Sequence, residues 1–252
     1  MTGFETVPDQ LWQFGLIFMR VGGAAGFLPG FSERFLPVRI RLAIAFSISL
    51  LVQVLGFAPV SLGVGHLTIS VLIGEITVGV ILGLVLRVFL IAIQIAGSIA
   101  AQSTSLAQIY GGQSAEPLPA IGHLLMFGAL ALIMMSGYPV LLIKYLGQFY
   151  TLVPIGQLIP AETMLTWGIS LVATVFQLGF TLAAPFVIAS VVYNLTIGLI
   201  NKAMPQMMVA FVGAPFITFL SLVLLVLTVP VILAVWRSRF FDFMHAPGGV
   251  AG

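Results

Sequence analysis

Cysteine is absent from this chain and charge is scarce. Without cysteine, disulfide bonds and thiolate metal sites are excluded. Aspartate, glutamate, lysine and arginine make up only 6% of the 252 residues, against roughly 25% in an ordinary soluble domain. The nine basic residues are too few and too dispersed to form a nucleic-acid-binding surface. With 60% hydrophobic residues, water cannot be the solvent for most of the surface.

Groupings of catalytic side chains are missing as well. The three histidines lie far apart in sequence, and the only aspartates, Asp9 and Asp242, are near the ends of the chain. No carboxylate pair, HExxH-like spacing or phosphate-binding glycine loop is present. Intramembrane catalysis needs a nucleophile with a base, paired aspartates or a metal cluster. The sequence therefore predicts neither an enzyme nor a cofactor site.

Long uncharged runs fill most of the chain. A helix needs about 20 apolar residues to cross ~30 Å of hydrocarbon, and a lipid-facing backbone must satisfy its own hydrogen bonds. We therefore predict an all-α, polytopic integral membrane protein with kinked helices and helical hairpins, forming one domain over residues 1–252. The apolar blocks run from about Leu11 to Leu28, Ile40 to Phe57, Leu67 to Ala101, Ile121 to Ile143, Met164 to Ile200 and Val209 to Trp236.

Among the charges that interrupt or border these blocks, four stand out: Arg20, Glu75, Arg87 and Lys202. Ionisable residues are costly inside a membrane, so we expect these to serve function or assembly. Glu75 and Arg87 would lie ~18 Å apart on one straight helix and point in different directions. Either the block is a hairpin bent near Arg87, or each charge has its partner on another helix or subunit. For Arg87, a helix end with a snorkelling side chain is the alternative.

Small residues recur at four-residue spacing within two of the blocks. Gly22 and Gly26 form one such pair, and Gly79 and Gly83 form another. This spacing places both glycines of a pair on one helix face, where a second helix can approach closely. We expect Gly79 and Gly83 to lie at a helix-packing surface.

The stretch from Gln102 to Ala120 is neither apolar nor charged, apart from Glu116. Paired glycines and a Pro-x-Pro element exclude a continuous helix here. We expect a loop held inside protein or lining a cavity, where irregular backbone is tolerated at membrane depth; an ordinary extramembrane loop is the alternative. Its notable residues are Leu106, Ile109, Tyr110, Gly111, Gly112, Pro117 and Pro119.

A second polar, proline-punctuated stretch runs from Asn201 to Pro215. Pro215 should kink or break the last helix, because proline removes a backbone donor. Pro185 divides the preceding block, which predicts either a kinked long helix or two packed segments. Discontinuous helices at these two prolines would suit a proton- or ion-coupled small-molecule transporter, which is our alternative function.

Several of these motifs together resemble the FliR family of flagellar export proteins. Near the C-terminus the resemblance is carried by Met204, Pro205, Gln206 and Met207, followed by Val209, Phe211, Gly213 and Pro215. Earlier parts agree in order: Phe18-x-Arg20-Val-Gly-Gly with Arg39-x-Arg41, then Glu75-x3-Gly79-x3-Gly83-x3-Arg87, then Gln94-x-Ala-Gly97. The related injectisome gate protein is the alternative, and the intact Met204-Pro205-Gln206 favours the flagellar one.

The resemblance implies a role in the bacterial inner membrane, at the flagellar basal body. Family members act as the single-copy subunit of the type III export gate, together with FliP and FliQ and with FlhB and FlhA nearby. Unfolded flagellar export substrates cross the channel, and a loop of the FliR-like subunit plugs it; residues 106–119 fit that loop. The resemblance further implies that Gly79, Gly83, Met204, Pro205, Gln206, Met207 and Pro215 pack against partner subunits, and that apolar helices face those subunits as well as membrane lipid.

Overall fold

The fold is all-α, as the sequence predicts. We analysed a computed structural model that describes residues 6–33, 36–58, 69–105, 120–204 and 209–246. Within these ranges the chain forms helices joined by turns and contains no strand. The helices are α1 (Thr6–Ala25), α2 (Val38–Val54), α3 (Ile69–Ser105), α4 (Ala120–Met135), α5 (Tyr138–Leu152), α6 (Ala161–Ala203) and α7 (Val209–His245).

Three of the helices are unusually long. Helices α3 and α7 each have 37 residues and α6 has 43, which at a rise of 1.5 Å per residue gives ~55–65 Å. Within the described ranges, these three are long and apolar enough to cross a membrane, and the bent pair α4–α5 adds a fourth if it is counted as one span. The prediction of a polytopic membrane protein is confirmed.

The predicted span from Ile121 to Ile143 is wrong as a single helix. Helix α4 ends at Met135, and α5 begins at Tyr138 after a turn in which Gly137 has a φ of 84°. Proline is tolerated in the first turn of a helix because its missing N–H has no partner there. Pro139 occupies such a position in α5, so the break lies where the glycine and the proline allow it.

Of the alternatives at Pro185 and Pro215, the structure has a continuous helix through each proline and a break at neither. Helix α6 continues through Pro185 from Ala161 to Ala203, so the block is one helix and not two packed segments. Helix α7 likewise continues through Pro215. Proline is tolerated inside membrane helices because neighbouring groups can satisfy the freed carbonyl. A proline within these apolar blocks therefore need not end the helix.

The chain divides into two compact units, each assembled from separated stretches. Unit 1 comprises Met1–Phe89, Ile133–Val172 and Phe240–Gly252, and unit 2 comprises Leu90–Leu132 and Ala173–Arg239. Each of the long helices contributes residues to both units. The prediction of one domain over the whole chain stays a prediction.

Unit 1 has an aromatic core. Phe89 of α3 packs with its ring centroid 5.8 Å from Phe240 and 5.0 Å from Phe243, both near the end of α7. The ring of Tyr138 lies 5.7 Å from that of Phe240, and Tyr145 lies 6.4 Å from Phe243. All five side chains are buried, so the first turns of α5 and the last turns of α7 close this core on α3.

Candidate functional site

Helices α1 and α3 of unit 1 pack at the distance that glycine permits. A Cβ on Gly79 would strike the main chain at Arg20, with the carbonyl carbon only 2.8 Å away. A Cβ on Gly83 would likewise strike the main chain of Ala24, whose Cα would be 3.1 Å away. The face carrying Gly79 and Gly83 is therefore covered by α1 of the same chain. This corrects the expectation that these two glycines pack against a partner subunit.

On α1 the matching glycine is not one of the predicted pair. A Cβ on Gly23 would stand 2.7 Å from the carbonyl oxygen of Ile76 on α3. At Gly22 it would meet nothing within 4 Å, and at Gly26 only the carbonyl oxygen of Gly23, 3.6 Å away. The interhelical contact thus uses Gly23, which the four-residue spacing missed.

This close approach brings two opposite charges together. Arg20 of α1 donates from Nε to Glu75 Oε2 at 2.7 Å and from Nη2 to Glu75 Oε1 at 3.0 Å. The Arg20 side chain is 0% exposed and that of Glu75 is 1% exposed. Paired donors matched to both carboxylate oxygens make the strongest form of an arginine–carboxylate interaction. Of the alternatives for Glu75, the structure has a partner on another helix.

The turn between α5 and α6 supplies the remaining partners of this pair. Arg20 Nη1 donates to the carbonyl oxygen of Val153 at 2.7 Å, and Nη2 approaches that of Pro154 at 3.4 Å. The N–H of Gly156 donates to Glu75 Oε1 at 2.9 Å. Gly156 has a φ of 83°, a conformation that side-chain-bearing residues rarely adopt. The turn is therefore shaped to complete the hydrogen bonding of both charges.

An aromatic ring closes the remaining side of the guanidinium group. The Arg20 Cζ lies 4.3 Å from the ring centroid of Tyr150, within cation–π range. The Tyr150 hydroxyl is buried and makes no hydrogen bond to the described part of the chain. The ring rather than the hydroxyl is thus what Arg20 uses.

We call Arg20, Glu75, Tyr150 and the turn residues Val153, Pro154 and Gly156 the charge clamp. Arg20 and Glu75 are hydrogen-bonded to each other and to the turn, so neither charged group is left free to act on a substrate. Burying a charge is tolerated only when it is paired and hydrogen-bonded. The clamp therefore links α1, α3 and the end of α5 within unit 1.

Arg87 lies within α3 and has a different partner. Its Nη1 donates to Ser32 Oγ at 2.7 Å and lies 3.7 Å from Glu33 Oε1. Because α3 continues to Ser105, the predicted hairpin bend near Arg87 and the helix-end alternative are both wrong. Its side chain is 33% exposed, against 8% for Glu33, so this pair is looser than that of the charge clamp.

The other predicted residues are not brought into the charge clamp. Lys202 is exposed in the last turn of α6, and Met204 is exposed just beyond it. Pro215 lies within α7. Three predicted packing residues, Pro205, Gln206 and Met207, and the whole predicted plug segment 106–119 lie outside the described residues.

Metal binding is not supported by the residues that the structure describes. Among them, no group of three or more histidine, aspartate or glutamate side chains is close enough together to hold an ion.

Sequence reasoning missed the turn residues and Tyr150. The Pro154 and Gly156 spacing signalled a turn, but no sequence pattern shows that its carbonyl groups point at Arg20. Residues 133 positions apart form that contact.

Comparisons with known proteins agree along almost the whole chain. The family described as "Bacterial export proteins, family 1" matches residues 11–243. A curated relative named "Flagellar biosynthetic protein FliR", from Caulobacter vibrioides, is 31% identical over 97% of this chain and 98% of its own length. Relatives of the same name from Aquifex aeolicus and Bacillus subtilis are each 25% identical, over 90% and 94% of this chain and 89% and 93% of their own lengths.

Proposed function

The chain belongs to the FliR family of bacterial export proteins, a component of the flagellar export apparatus and not an enzyme, and from this premise we propose that it forms the export channel together with FliP and FliQ. In this proposal it sits in the inner membrane at the flagellar basal body, with FlhB and FlhA as neighbours. Unfolded flagellar proteins are the cargo. The observation that carries the proposal is the family match over residues 11–243.

Exposed apolar side chains support an assembly with other membrane proteins. In unit 2, the second half of α6 leaves large apolar side chains uncovered, and so does α7. They include Ile188, Leu195 and Leu199 on α6 and Phe219, Val226 and Leu227 on α7. Such surfaces need lipid or another subunit to cover them. A gate subunit surrounded by both is consistent with this pattern.

We further propose that residues 106–119 plug the resting channel. The segment connects α3 and α4 and contains Gly111, Gly112, Pro117 and Pro119, which exclude a continuous helix. Its apolar residues Leu106, Ile109 and Tyr110 suit a seal against solutes.

The transporter alternative loses its structural support. It required discontinuous helices at Pro185 and Pro215 to form a midplane site. Helices α6 and α7 continue through both positions. No second function is therefore retained.

Copurification tests the assembly. The tagged chain, co-expressed with its FliP and FliQ homologues and extracted in mild detergent, should carry both through affinity and size-exclusion steps. If it elutes alone while both homologues are present in the same membranes, the proposed assembly is wrong.

Solute leak tests the plug. Deleting Ile109 to Gln113 should make resting cells leak small solutes while the complex still assembles. An unchanged leak from cells with the assembled complex would refute the sealing role.

A further inference from the structure

Two arginines from different helices of unit 1 converge on Glu33, in the segment that follows α1. Arg41 of α2 donates from Nη2 to the main-chain carbonyl oxygen of Glu33 at 2.6 Å, and from Nε to that of Leu36 at 3.1 Å. Arg87 of α3 donates from Nη1 to Ser32 Oγ at 2.7 Å and lies 3.7 Å from Glu33 Oε1. Both guanidinium groups are therefore held in place by contacts with the same short segment.

Positive charge exceeds negative charge on the outer side of this cluster. The side chain of Arg87 is 33% exposed and that of Glu33 only 8%, so the guanidinium group rather than the carboxylate faces outward. Arg41 is half-buried, and Arg39, two residues earlier, is exposed. Nε and Nη2 of Arg87 and Nη1 of Arg41 make no hydrogen bond to the described part of the chain. Donors thus remain for an anionic ligand.

An apolar stripe runs along α2 from this basic end. Its members recur every four residues, so they share one helix face, and each is between 47% and 75% exposed: Val38, Leu42, Phe46, Leu50 and Val54. Sixteen residues of helix measure ~24 Å, most of the ~30 Å hydrocarbon core of a bilayer. The first turn of α2 contains no acidic residue. A ligand that covers this face is therefore apolar along its length and negative at the arginine end.

We propose that this surface binds an anionic phospholipid. In this lipid site, Arg41 and Arg87 hold the phosphate group, Arg39 lies at its rim, and an acyl chain follows the stripe on α2. The planar guanidinium group matches phosphate oxygens with paired N–H donors. Basic segments beside membrane helices are retained on the cytoplasmic side, whose leaflet carries anionic lipids. A water-soluble anion would leave the apolar stripe uncovered, so a lipid satisfies both parts of the surface.

Native mass spectrometry of the full chain tests the headgroup contact. The chain is purified in mild detergent, stripped of lipid and mixed with equal amounts of phosphatidylglycerol and phosphatidylcholine that carry the same acyl chains. The chain should bind phosphatidylglycerol preferentially. Arg87→Gln should lower this preference by about fivefold, the contribution of one arginine near an anionic surface. Arg39→Gln should lower it too, and it removes no hydrogen bond within the described chain.

The matched control for the loss of charge is Lys144→Gln. Lys144 is exposed on α5 of the same unit, so the substitution removes one positive charge without touching the lipid site. The preference for phosphatidylglycerol should stay at its wild-type value. Arg87→Lys, which keeps the charge but loses the paired donors, should lie between wild type and Arg87→Gln.

Quenching by brominated lipid tests the path of the acyl chain. The chain has no cysteine of its own, so Leu50→Cys on the stripe and Leu222→Cys on α7 can each carry one fluorescent label. The two positions have similar exposure, 47% and 54%. In bilayers of fixed composition, the label at Leu50→Cys should be quenched more by brominated phosphatidylglycerol than by brominated phosphatidylcholine. The label at Leu222→Cys should be quenched equally by both, and adding Arg87→Gln should abolish the difference at Leu50→Cys.

The outcomes separate a lipid site from the other occupants of this surface. Equal binding of the two lipids, or an unchanged preference in both Arg39→Gln and Arg87→Gln, overturns the proposal. Equal quenching at Leu50→Cys overturns it as well, since the acyl chain then does not follow the stripe. If neither lipid quenches that label once the FliP and FliQ homologues are assembled with the chain, a partner subunit covers the stripe and the lipid site is wrong.

The lipid site does not rest on the proposed channel. A chain that binds phosphatidylglycerol as described but fails to copurify with the FliP and FliQ homologues would refute the assembly and leave this inference standing. A chain that assembles without any lipid preference would do the reverse.

Discussion

Single residues in this protein differ sharply in how far their charge is compensated. Arg20 has 0% exposure and four hydrogen bonds, two to Glu75 and two to carbonyl groups of the α5–α6 turn. Arg87 has one hydrogen bond to Ser32, a longer ion pair and 33% exposure. Removing one partner of a fully buried, doubly hydrogen-bonded pair leaves an uncompensated charge, whereas a longer pair with a part-exposed arginine contributes less.

This contrast gives a prediction for Arg20. Arg20→Ala should lower the free energy of unfolding by about 3–5 kcal/mol, because Glu75 is left buried without a counter-charge. Arg87→Ala should cost less, since Arg87 is 33% exposed and its ion pair with Glu33 is longer, at 3.7 Å. Denaturant titration of the purified chain in detergent measures both. Equal losses for the two variants would contradict the distinction.

Exchanging the two charges should not restore stability. In the variant carrying Arg20→Glu and Glu75→Arg, the new carboxylate would face the carbonyl oxygens of Val153 and Pro154, which cannot donate to it. The double variant should remain at least as unstable as Arg20→Ala in the same titration. Recovery to the wild-type value would show that the turn carbonyls contribute nothing.

Two substitutions of Tyr150 can separate the contribution of its ring to stability from that of its hydroxyl group. Tyr150→Phe should leave the midpoint of thermal unfolding unchanged or raise it, because the ring over Arg20 is kept and a buried hydroxyl without a partner among the described residues is removed. Tyr150→Leu should lower it, since a desolvated cation–π contact contributes up to about 2 kcal/mol. A loss in the Phe variant as large as in the Leu variant would show that the hydroxyl matters.

At the residue scale, the sequence predicts that Glu75 needs a counter-charge but does not identify the residue that supplies it. The cost of burying a carboxylate predicts that Glu75 has a positively charged partner. The spacing of Glu75 and Arg87 along α3 argues against a direct pair between these two residues. That the partner is Arg20, 55 positions earlier, follows only from the packing of α1 on α3. The hydrogen bonds from Arg20 to the turn carbonyl groups could not be predicted, because every residue has a backbone carbonyl and no sequence pattern marks the ones that accept.

At the scale of helices, the α1–α3 contact depends on which face each glycine occupies. Spacing predicted the α3 side, Gly79 and Gly83, but selected Gly22 and Gly26 on α1, where the structure uses Gly23. Four-residue spacing identifies a face that could pack closely, and only the direction of the charged and bulky residues decides which face does. The break between α4 and α5 was missed for a related reason: apolar composition continues across Ser136 and Gly137, so hydrophobicity does not mark it.

Substitution of two glycines tests this helix contact. Gly79→Val should separate α1 from α3 and cost about 1–3 kcal/mol of stability, in the range of overpacked cores, and it should also lengthen the Arg20–Glu75 contact. Gly22→Val should have little effect, because nothing lies within 4 Å of a Cβ there. Thermal unfolding of the two variants provides the comparison. A milder effect at Gly79 than at Gly22 would contradict the packing.

At the scale of the whole molecule, the last turns of α7 complete unit 1. Phe240, Phe243 and Met244 of α7 are buried, and the two rings pack on Phe89 of α3. The part of α7 that precedes these residues, up to Arg239, belongs to unit 2. Composition could not predict this, because Arg237 and Arg239 mark the end of the apolar block before the residues that enter the core.

Phe240 and Phe241 are neighbours at the end of α7, and we expect their substitution by alanine to have different effects on stability. Phe240→Ala should destabilise unit 1 by about 3–5 kcal/mol, the range for a deleted core aromatic ring, because its ring is 0% exposed. Phe241→Ala removes the same atoms from a partly exposed position and should cost considerably less. Limited proteolysis should then cut the region of α5 and the α5–α6 turn faster in Phe240→Ala than in Phe241→Ala. Equal cleavage in the two variants would mean that the end of α7 does not hold unit 1 together.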